Sequence, residues 1–153
     1  MRFTAALIKL IRLPNLFFIA LTQLLFYYAV VVPVLKQVGH TPELNEIHLY
    51  LLVAASVLIA AAGYIINDYF DLNIDRVNKP DKLVVEKIIK RRWAIVWHLV
   101  LSFAGLVIST WVCVKLFDWH TLLAGTINLF CVIALWLYST NYKRQLLIGN
   151  ILI

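Results

Sequence analysis

Four runs of about twenty mostly apolar residues constrain the fold of this chain more than any other feature. They extend from about Leu13 to Leu35, Glu46 to Ile66, Trp93 to Leu116 and Thr121 to Tyr138, and a fifth apolar run begins near Leu146. A helix of about 20 apolar residues is long enough to cross the hydrocarbon core of a bilayer. The sequence therefore predicts an all-α fold, a multi-pass transmembrane helical bundle with about four spans plus the start of a fifth.

The composition excludes a soluble globular or disordered chain. Hydrophobic residues make up 63% of the 153 residues and charged residues 14%, whereas soluble domains contain roughly 45–50% apolar and about 25% charged residues. A fold this small cannot bury so much apolar surface, and a disordered chain would be more polar. The first run is longer than the apolar region of a signal peptide and no small-residue cleavage site follows it, so we expect it to be retained. We expect residues 1–153 to form a single transmembrane helical domain.

The basic residues are distributed very unequally between the predicted loops. Twelve of the 14 Lys and Arg residues fall on one side of the predicted bundle, and only Lys36 and Lys115 fall on the other. The twelve are Arg2, Lys9, Arg12, Arg76, Lys79, Lys82, Lys87, Lys90, Arg91, Arg92, Lys143 and Arg144. Because Lys and Arg concentrate in cytoplasmic loops, we expect the N-terminus and the long loop 67–92 to be cytoplasmic. This topology accounts for the net charge of +6. We therefore expect the chain to contact membrane lipid and no nucleic acid.

Cysteine and histidine residues show no pattern typical of a disulfide scaffold or a zinc site. Cys113 and Cys131 lie inside apolar runs, so we expect both to be small buried hydrophobic residues. His98 lies inside the third run. A neutral histidine bonded to another helix is the favoured interpretation there, ahead of a catalytic base.

An aspartate-rich segment follows the second apolar run. If the helix continues, Asn67, Asp68, Asp71 and Asp75 share one of its faces. Three carboxylates stacked on one face near a helix C-terminus repel each other and oppose the helix dipole. This arrangement favours a bound cation, and Mg²⁺, which prefers oxygen ligands and often shares its shell with substrate phosphates, fits best.

Basic residues follow the aspartates directly. Arg76, Lys79 and Lys82 are placed to contact phosphate oxygens. Together with the carboxylates and the apolar bundle, they favour a diphosphate that carries an apolar tail. A solvated charged loop is the alternative. A calcium loop is rejected because Arg76 stands where that motif needs Gly and Lys82 stands where it needs Glu.

These residues resemble the UbiA-type intramembrane prenyltransferases. The segment 67–75 is similar to that family's first aspartate-rich motif, NDxxDxxxD, and residues 78–82 resemble the NKPDRP segment that follows it. Residues 12–15 resemble an RxPN sequence before the first helix, and residues 138–150 resemble a YSxxxKR…GN stretch after the fourth. Lys82 and Leu83 depart from the usual Arg-Pro, and no second aspartate-rich motif is found, so the resemblance is to the N-terminal half of the family.

The resemblance implies transfer of a prenyl group from a polyprenyl diphosphate to a small acceptor, such as an aromatic quinone precursor. It implies that Asp68, Asp71 and Asp75 hold Mg²⁺ against the diphosphate and that Asn67 supports them. The implied substrate-binding residues are Asn15, Arg76, Lys79, Lys82 and Lys143. Asn15 would face the central cavity, or else hydrogen-bond a neighbouring helix.

Two other functions remain open beside this one. A CDP-alcohol phosphotransferase also uses aspartates within a membrane, but only the last fragment of its motif is present. A non-catalytic or degenerate subunit, which binds isoprenoid or a partner, is the main alternative because the second motif is absent. A missing C-terminal half and a second copy of the chain are both open as the partner.

Overall fold

The computed structural model describes residues 2–42, 44–78, 84–85, 88–117 and 121–140. All the regular elements in these ranges are helical. The helices are α1 (Arg2–Leu10), α2 (Leu13–Phe26), α3 (Val32–Gln37), α4 (Glu46–Asn78), α5 (Arg91–Phe117) and α6 (Thr121–Thr140), with a π-helical turn at Tyr27–Val31 between α2 and α3. The predicted all-α class is therefore confirmed. The fifth apolar run lies outside the described residues.

Three segments of the described chain are long and apolar enough to cross a membrane. They are Leu13–Gln37, Glu46–Asn78 and Arg91–Leu116, and a shorter apolar helix covers Thr126–Thr140. Their positions match the four predicted runs. The fourth run is helical over its whole predicted length, although the side chains of residues 121–125 lie outside the described set.

The first predicted span is not one regular helix. Pro33 has no N–H with which to continue the helical hydrogen bonding, and the π-helical turn Tyr27–Val31 directly precedes the short helix that contains this proline. The segment ends at Gly39, whose φ of 76° places it in the left-handed region. The His40 N–H donates back to the Leu35 carbonyl at 2.9 Å, which is a common way for a helix to end.

Helix α4 is the central element of the bundle, because it contacts α1, α2, α5 and α6. Its 33 residues extend for about 50 Å at 1.5 Å per residue, which is longer than the roughly 30 Å hydrocarbon core. It therefore continues past the predicted end of the second span near Ile66. The aspartate-rich segment forms its last three turns, as expected for a continuing helix.

Close packing between α4 and α5 depends on a glycine. A Cβ atom built on Gly105 of α5 would lie 2.9 Å from the backbone oxygen of Ala55 and 2.7 Å from Cγ1 of Ile59, both on α4. Such small residues allow the backbones of membrane helices to approach closely. The absence of a side chain at Gly105 thus allows α5 to lie this close to the central helix.

Helix α1 was not predicted, since the basic N-terminal residues were interpreted only as a topology signal. It is amphipathic: Ala6 and Leu10 are buried whereas Lys9 is exposed. Its apolar face joins a core cluster at the end of α4 that carries the aspartates, together with residues of the 84–89 segment and of α5. The buried members are Ala6, Leu10, Ile65, Leu72, Val84, Val85, Ile89 and Ala94. This cluster holds the last turns of α4 in place.

Candidate functional site

The aspartate-rich motif lies on one face of the last turns of α4, as the residue spacing predicts. Asp68, Asp71 and Asp75 are separated by three and four residues on a continuous helix, and all three side chains are half-buried. The arrangement of the three carboxylates on one helix face, which the spacing predicts, is therefore present in the folded chain.

Asn67 and Asp71 form a direct hydrogen bond across one helical turn. The Asn67 side-chain amide donates to Oδ2 of Asp71 at 3.0 Å. A hydrogen bond to an ionised carboxylate is stronger than one between neutral groups, so Asn67 fixes the orientation of the Asp71 side chain. A supporting role for Asn67 needs such a contact, and that role stays a prediction.

Asp68 is paired with Arg12, which was not among the predicted site residues. Arg12 Nη2 donates to Asp68 Oδ1 at 2.9 Å, and the guanidinium carbon lies 5.0 Å from the centre of the Tyr64 ring. Arg12 was identified as part of the RxPN sequence but was assigned only to topology. The missing information was the turn between α1 and α2, where Arg12 has a left-handed backbone conformation and its side chain reaches Asp68.

The acidic side chains do not form a metal site made of protein ligands alone. Within the described residues, no group of three or more His, Cys, Asp or Glu side chains is arranged to hold a metal ion. Mg²⁺ usually binds through one or two carboxylates and completes its shell with water and substrate phosphates. The half-buried carboxylates of Asp68 and Asp71 fit a cation shared with a phosphate group, and the ligand set Asp68, Asp71 and Asp75 stays a prediction.

The other predicted substrate-binding residues are less clearly placed. Arg76 is exposed on the last turn of α4. Asn15 is exposed on the first turn of α2 and is not among the described residues that line this cavity, and its substrate-binding role stays a prediction. Lys79, Lys82 and Lys143 lie outside the described residues.

A cavity of about 540 Å³ extends from the motif into the bundle between α2, α4 and α6. Arg12, Tyr64 and Asn67 line it at the motif end, and Ile59 and Ser56 line it further along α4. Asn67 and Ser56 are eleven positions apart, which corresponds to about 16 Å along the helix. The volume is within the range of roughly 300–1,000 Å³ typical of small-molecule sites.

Polar side chains of α4 and α6 also line this cavity, including those of Ser56, Asn128 and Ser139. The Ser56 hydroxyl donates to the Leu52 carbonyl at 3.0 Å, and the Ser139 hydroxyl donates to the Leu135 carbonyl at 2.8 Å. Both hydroxyls are thus satisfied within their own helices. Cys131 is an exposed thiol in the lining, so the prediction that both cysteines are buried is wrong for Cys131, because an apolar run does not reveal which helix face borders a cavity. Cys113 is buried as expected.

His98 on α5 contacts α4 and is not part of the described cavity lining. It is buried, with Nδ1 3.0 Å from the Ala62 carbonyl oxygen. Its ring centre lies 5.2 Å from that of Trp136 on α6, which in turn lies 5.8 Å from that of Phe70 on α4. These contacts agree with the interpretation that His98 bonds a neighbouring helix.

A second and wholly apolar groove of about 720 Å³ lies on another side of α4, between α1, α2 and α5. Phe17 and Phe18 line it and are strongly exposed. Sequence analysis cannot separate such aromatic residues from those lining the 540 Å³ cavity, because both sets occur in the same apolar runs.

Comparison with known proteins gives consistent results at the levels of sequence and structure. The sequence profile described as the UbiA prenyltransferase family matches residues 24–153. The digeranylgeranylglyceryl phosphate synthase of Sulfurisphaera tokodaii is 35% identical over 111 residues, which are 72% of this chain and 37% of that protein. The enzyme of the same name from Thermococcus gammatolerans is 34% identical over 113 residues, which are 74% of this chain and 37% of that protein.

The structural comparison covers nearly the whole chain. A solved structure concerned with digeranylgeranylglyceryl phosphate synthase in membranes matches with a TM-score of 0.76 at 27% identity, covering 99% of this chain and 48% of that one. This chain therefore spans well under half the length of the curated relatives and about half of the solved structure. The profile match includes the aspartate-rich motif and the whole of α4, and the chain belongs to the UbiA prenyltransferase family.

Proposed function

We propose that this chain forms the part of a prenyltransferase site that binds the diphosphate, in a reaction that transfers a prenyl group from a polyprenyl diphosphate to an acceptor. The observation that carries the proposal is that Arg12 and Asn67 line one end of a largely apolar cavity and bond the motif carboxylates of Asp68 and Asp71. A prenyl diphosphate has the matching shape: a highly charged head group and a long apolar tail.

The head group would bind at the motif end of the cavity. We assign Mg²⁺ binding to Asp68, Asp71 and Asp75, with Asn67 orienting Asp71. Bound Mg²⁺ would supply Lewis-acid neutralisation of the diphosphate as it leaves. Arg12 and Arg76, with Lys79 and Lys82, would donate hydrogen bonds to phosphate oxygens and stabilise their charge.

The prenyl tail would lie in the 540 Å³ cavity. Its lining includes Ile59, Ala60, Gly63 and Leu135, which offer an apolar surface to the tail. The Tyr64 ring near the motif presents a π-face that can stabilise positive charge developing on the prenyl group.

The acceptor is proposed from the relatives. Those described above are named digeranylgeranylglyceryl phosphate synthases, and we therefore propose a glyceryl phosphate lipid as the acceptor ahead of an aromatic quinone precursor. The excess of basic residues around the motif suits an acceptor that itself carries a phosphate group.

The site is proposed to face the cytoplasm. Twelve of the 14 basic residues fall on the predicted side of the motif, which the positive-inside rule places in the cytoplasm. Both proposed substrates have charged head groups, and they would reach the motif from that side while their tails remain in the bilayer.

The test is a binding and turnover assay on the purified chain in detergent micelles. Radiolabelled geranylgeranyl diphosphate is supplied with Mg²⁺ and with either a geranylgeranyl-glyceryl phosphate or an aromatic acceptor. We expect Mg²⁺-dependent binding that Asp71→Asn abolishes. Glu46→Gln, at the opposite end of the same helix, removes one carboxylate without touching the motif and should leave binding intact.

The results of this assay distinguish the proposed function from its alternatives. Turnover with the glyceryl phosphate acceptor supports the full proposal, and turnover with the aromatic acceptor alone corrects the acceptor. Mg²⁺-dependent binding without turnover favours the non-catalytic alternative. Binding that does not depend on Mg²⁺ and that persists in Asp71→Asn overturns the assignment of the diphosphate site.

A further inference from the structure

Arg12 has an unusual backbone conformation. It joins α1 to α2 with φ 53° and ψ 54°, and among the described residues it is the one non-glycine residue with a positive φ. A residue with a Cβ atom is disfavoured in this left-handed region. Such conformations persist where the surrounding structure fixes them, and they concentrate at functional sites.

The surrounding contacts direct the Arg12 side chain towards the motif. Its guanidinium group lies over the Tyr64 ring and bonds Asp68 Oδ1. Tyr64 and Asp68 are one turn apart on α4, so a single helix face provides both contacts. The side chains of Arg12 and Asp68 are only partly exposed, at 43% and 26%.

The Arg12–Asp68 pair occupies a carboxylate that the proposed function assigns to the metal. A divalent cation bound at Asp68 would stand close to the guanidinium group, and the two positive charges would repel each other. A diphosphate changes this balance, because its oxygens accept the paired N–H groups of an arginine at least as well as a carboxylate does. Arg12 also lines the cavity in which the diphosphate would lie.

We propose that Arg12 is a latch that exchanges partners: it neutralises Asp68 in the resting site and moves to the diphosphate when substrate arrives, which frees Asp68 for the metal. This inference rests on the proposed function and adds to it the order of events, in which Arg12 changes its partner and Asp68 then becomes available to the metal. Metal and diphosphate would bind cooperatively, so that neither fills the site efficiently alone. By linkage, the enhancement is the same in both directions.

A static ion pair is the competing interpretation, and the two differ in the effect of removing the guanidinium group. If Arg12 only holds Asp68 in position, its loss should weaken metal binding in all conditions. If Arg12 is a latch, its loss should strengthen binding of the metal alone and reduce the enhancement that diphosphate provides.

The test uses Mn²⁺ as a paramagnetic probe and inorganic pyrophosphate as the second ligand, with the whole chain in detergent. Electron paramagnetic resonance measures the Mn²⁺ affinity with and without pyrophosphate. The main variant is Arg12→Asn, because asparagine tolerates the left-handed conformation. Arg12→Gly, which adopts it freely, is the second variant if the first does not fold by circular dichroism.

In the wild-type chain we expect pyrophosphate to tighten Mn²⁺ binding at least about tenfold, within the usual 5–150-fold range of coupling. In Arg12→Asn we expect Mn²⁺ alone to bind severalfold more tightly and the enhancement to fall below about threefold. Lys36→Asn, at the far end of the same membrane segment, removes one positive charge away from the site and should reproduce the wild-type values.

Three results overturn the proposal. An unchanged enhancement in Arg12→Asn, or weaker binding of Mn²⁺ alone, refutes the latch while leaving the proposed function intact. Absence of any pyrophosphate-dependent Mn²⁺ binding in the wild-type chain overturns the latch and the proposed diphosphate site together.

Discussion

The contact between α4 and α5 gives a prediction whose size follows from the geometry. Replacing Gly105 by alanine puts a Cβ atom 2.9 Å from the Ala55 backbone oxygen and 2.7 Å from Ile59 Cγ1, whereas carbon contacts are optimal at about 3.5–4.0 Å. The Ala55 oxygen belongs to the α4 backbone and cannot rotate away, so the two helices must separate. Overpacking of this kind costs about 1–3 kcal/mol.

A second glycine on the central helix supplies the matched control. A Cβ atom on Gly63 would lie 3.1 Å from Leu135 Cδ1, which is the end of a flexible side chain. Both substitutions gain the same helix propensity of about 1 kcal/mol, which therefore cancels when the variants are compared. We expect Gly105→Ala to be less stable than Gly63→Ala by about 1–3 kcal/mol.

The assay is equilibrium unfolding in mixed micelles, with an increasing mole fraction of denaturing detergent and the fluorescence of the five tryptophans as the readout. The free energy of unfolding of each variant is extrapolated to the native detergent. Equal stabilities, or a Gly105→Ala chain more stable than Gly63→Ala, would refute the close approach of α5 to the central helix.

Two further predictions concern the site itself. Asn67→Ala removes the hydrogen bond to Asp71. Because a bond to a charged group is worth about 1.5–3 kcal/mol, we expect pyrophosphate-dependent Mn²⁺ binding to weaken at least about tenfold. Asn73→Ala, at an exposed position of the same helix, is the control, and equal effects of the two substitutions would count against the contact. Maleimide should label Cys131, which lines the cavity, faster than the buried Cys113. Geranylgeranyl diphosphate should slow the labelling of Cys131, whereas pyrophosphate should not. Equal protection by both compounds would place the prenyl tail elsewhere.

Much of the fold can be predicted from the sequence because each apolar run is long enough to identify one helix. The arrangement of the motif can also be predicted, because the spacing of Asp68, Asp71 and Asp75 places them on one helix face whatever surrounds that helix. Asn67 can be included because a hydrogen bond between residues four apart needs only the helix itself.

Features that depend on contacts between distant segments could not be predicted in this way. Arg12 lies 56 residues before Asp68, and its role depends on the left-handed turn between α1 and α2, for which arginine gives no signal. Helix α1 was missed because it has only nine residues, with a basic residue near each end, and so short a segment does not differ clearly from a charged N-terminus. The exposure of Cys131 depends on where α6 lies against α2 and α4, which hydropathy does not reveal.

The most direct test of the central claim is ³¹P electron–nuclear double resonance on Mn²⁺ bound to the purified chain with pyrophosphate. A diphosphate oxygen that ligates the same metal as the motif carboxylates gives a resolved ³¹P hyperfine coupling. We predict this coupling in the wild-type chain and its loss in Asp71→Asn. Absence of the coupling in the wild-type chain, or its persistence unchanged in Asp71→Asn, would contradict the assignment of a shared metal–diphosphate site to the end of α4.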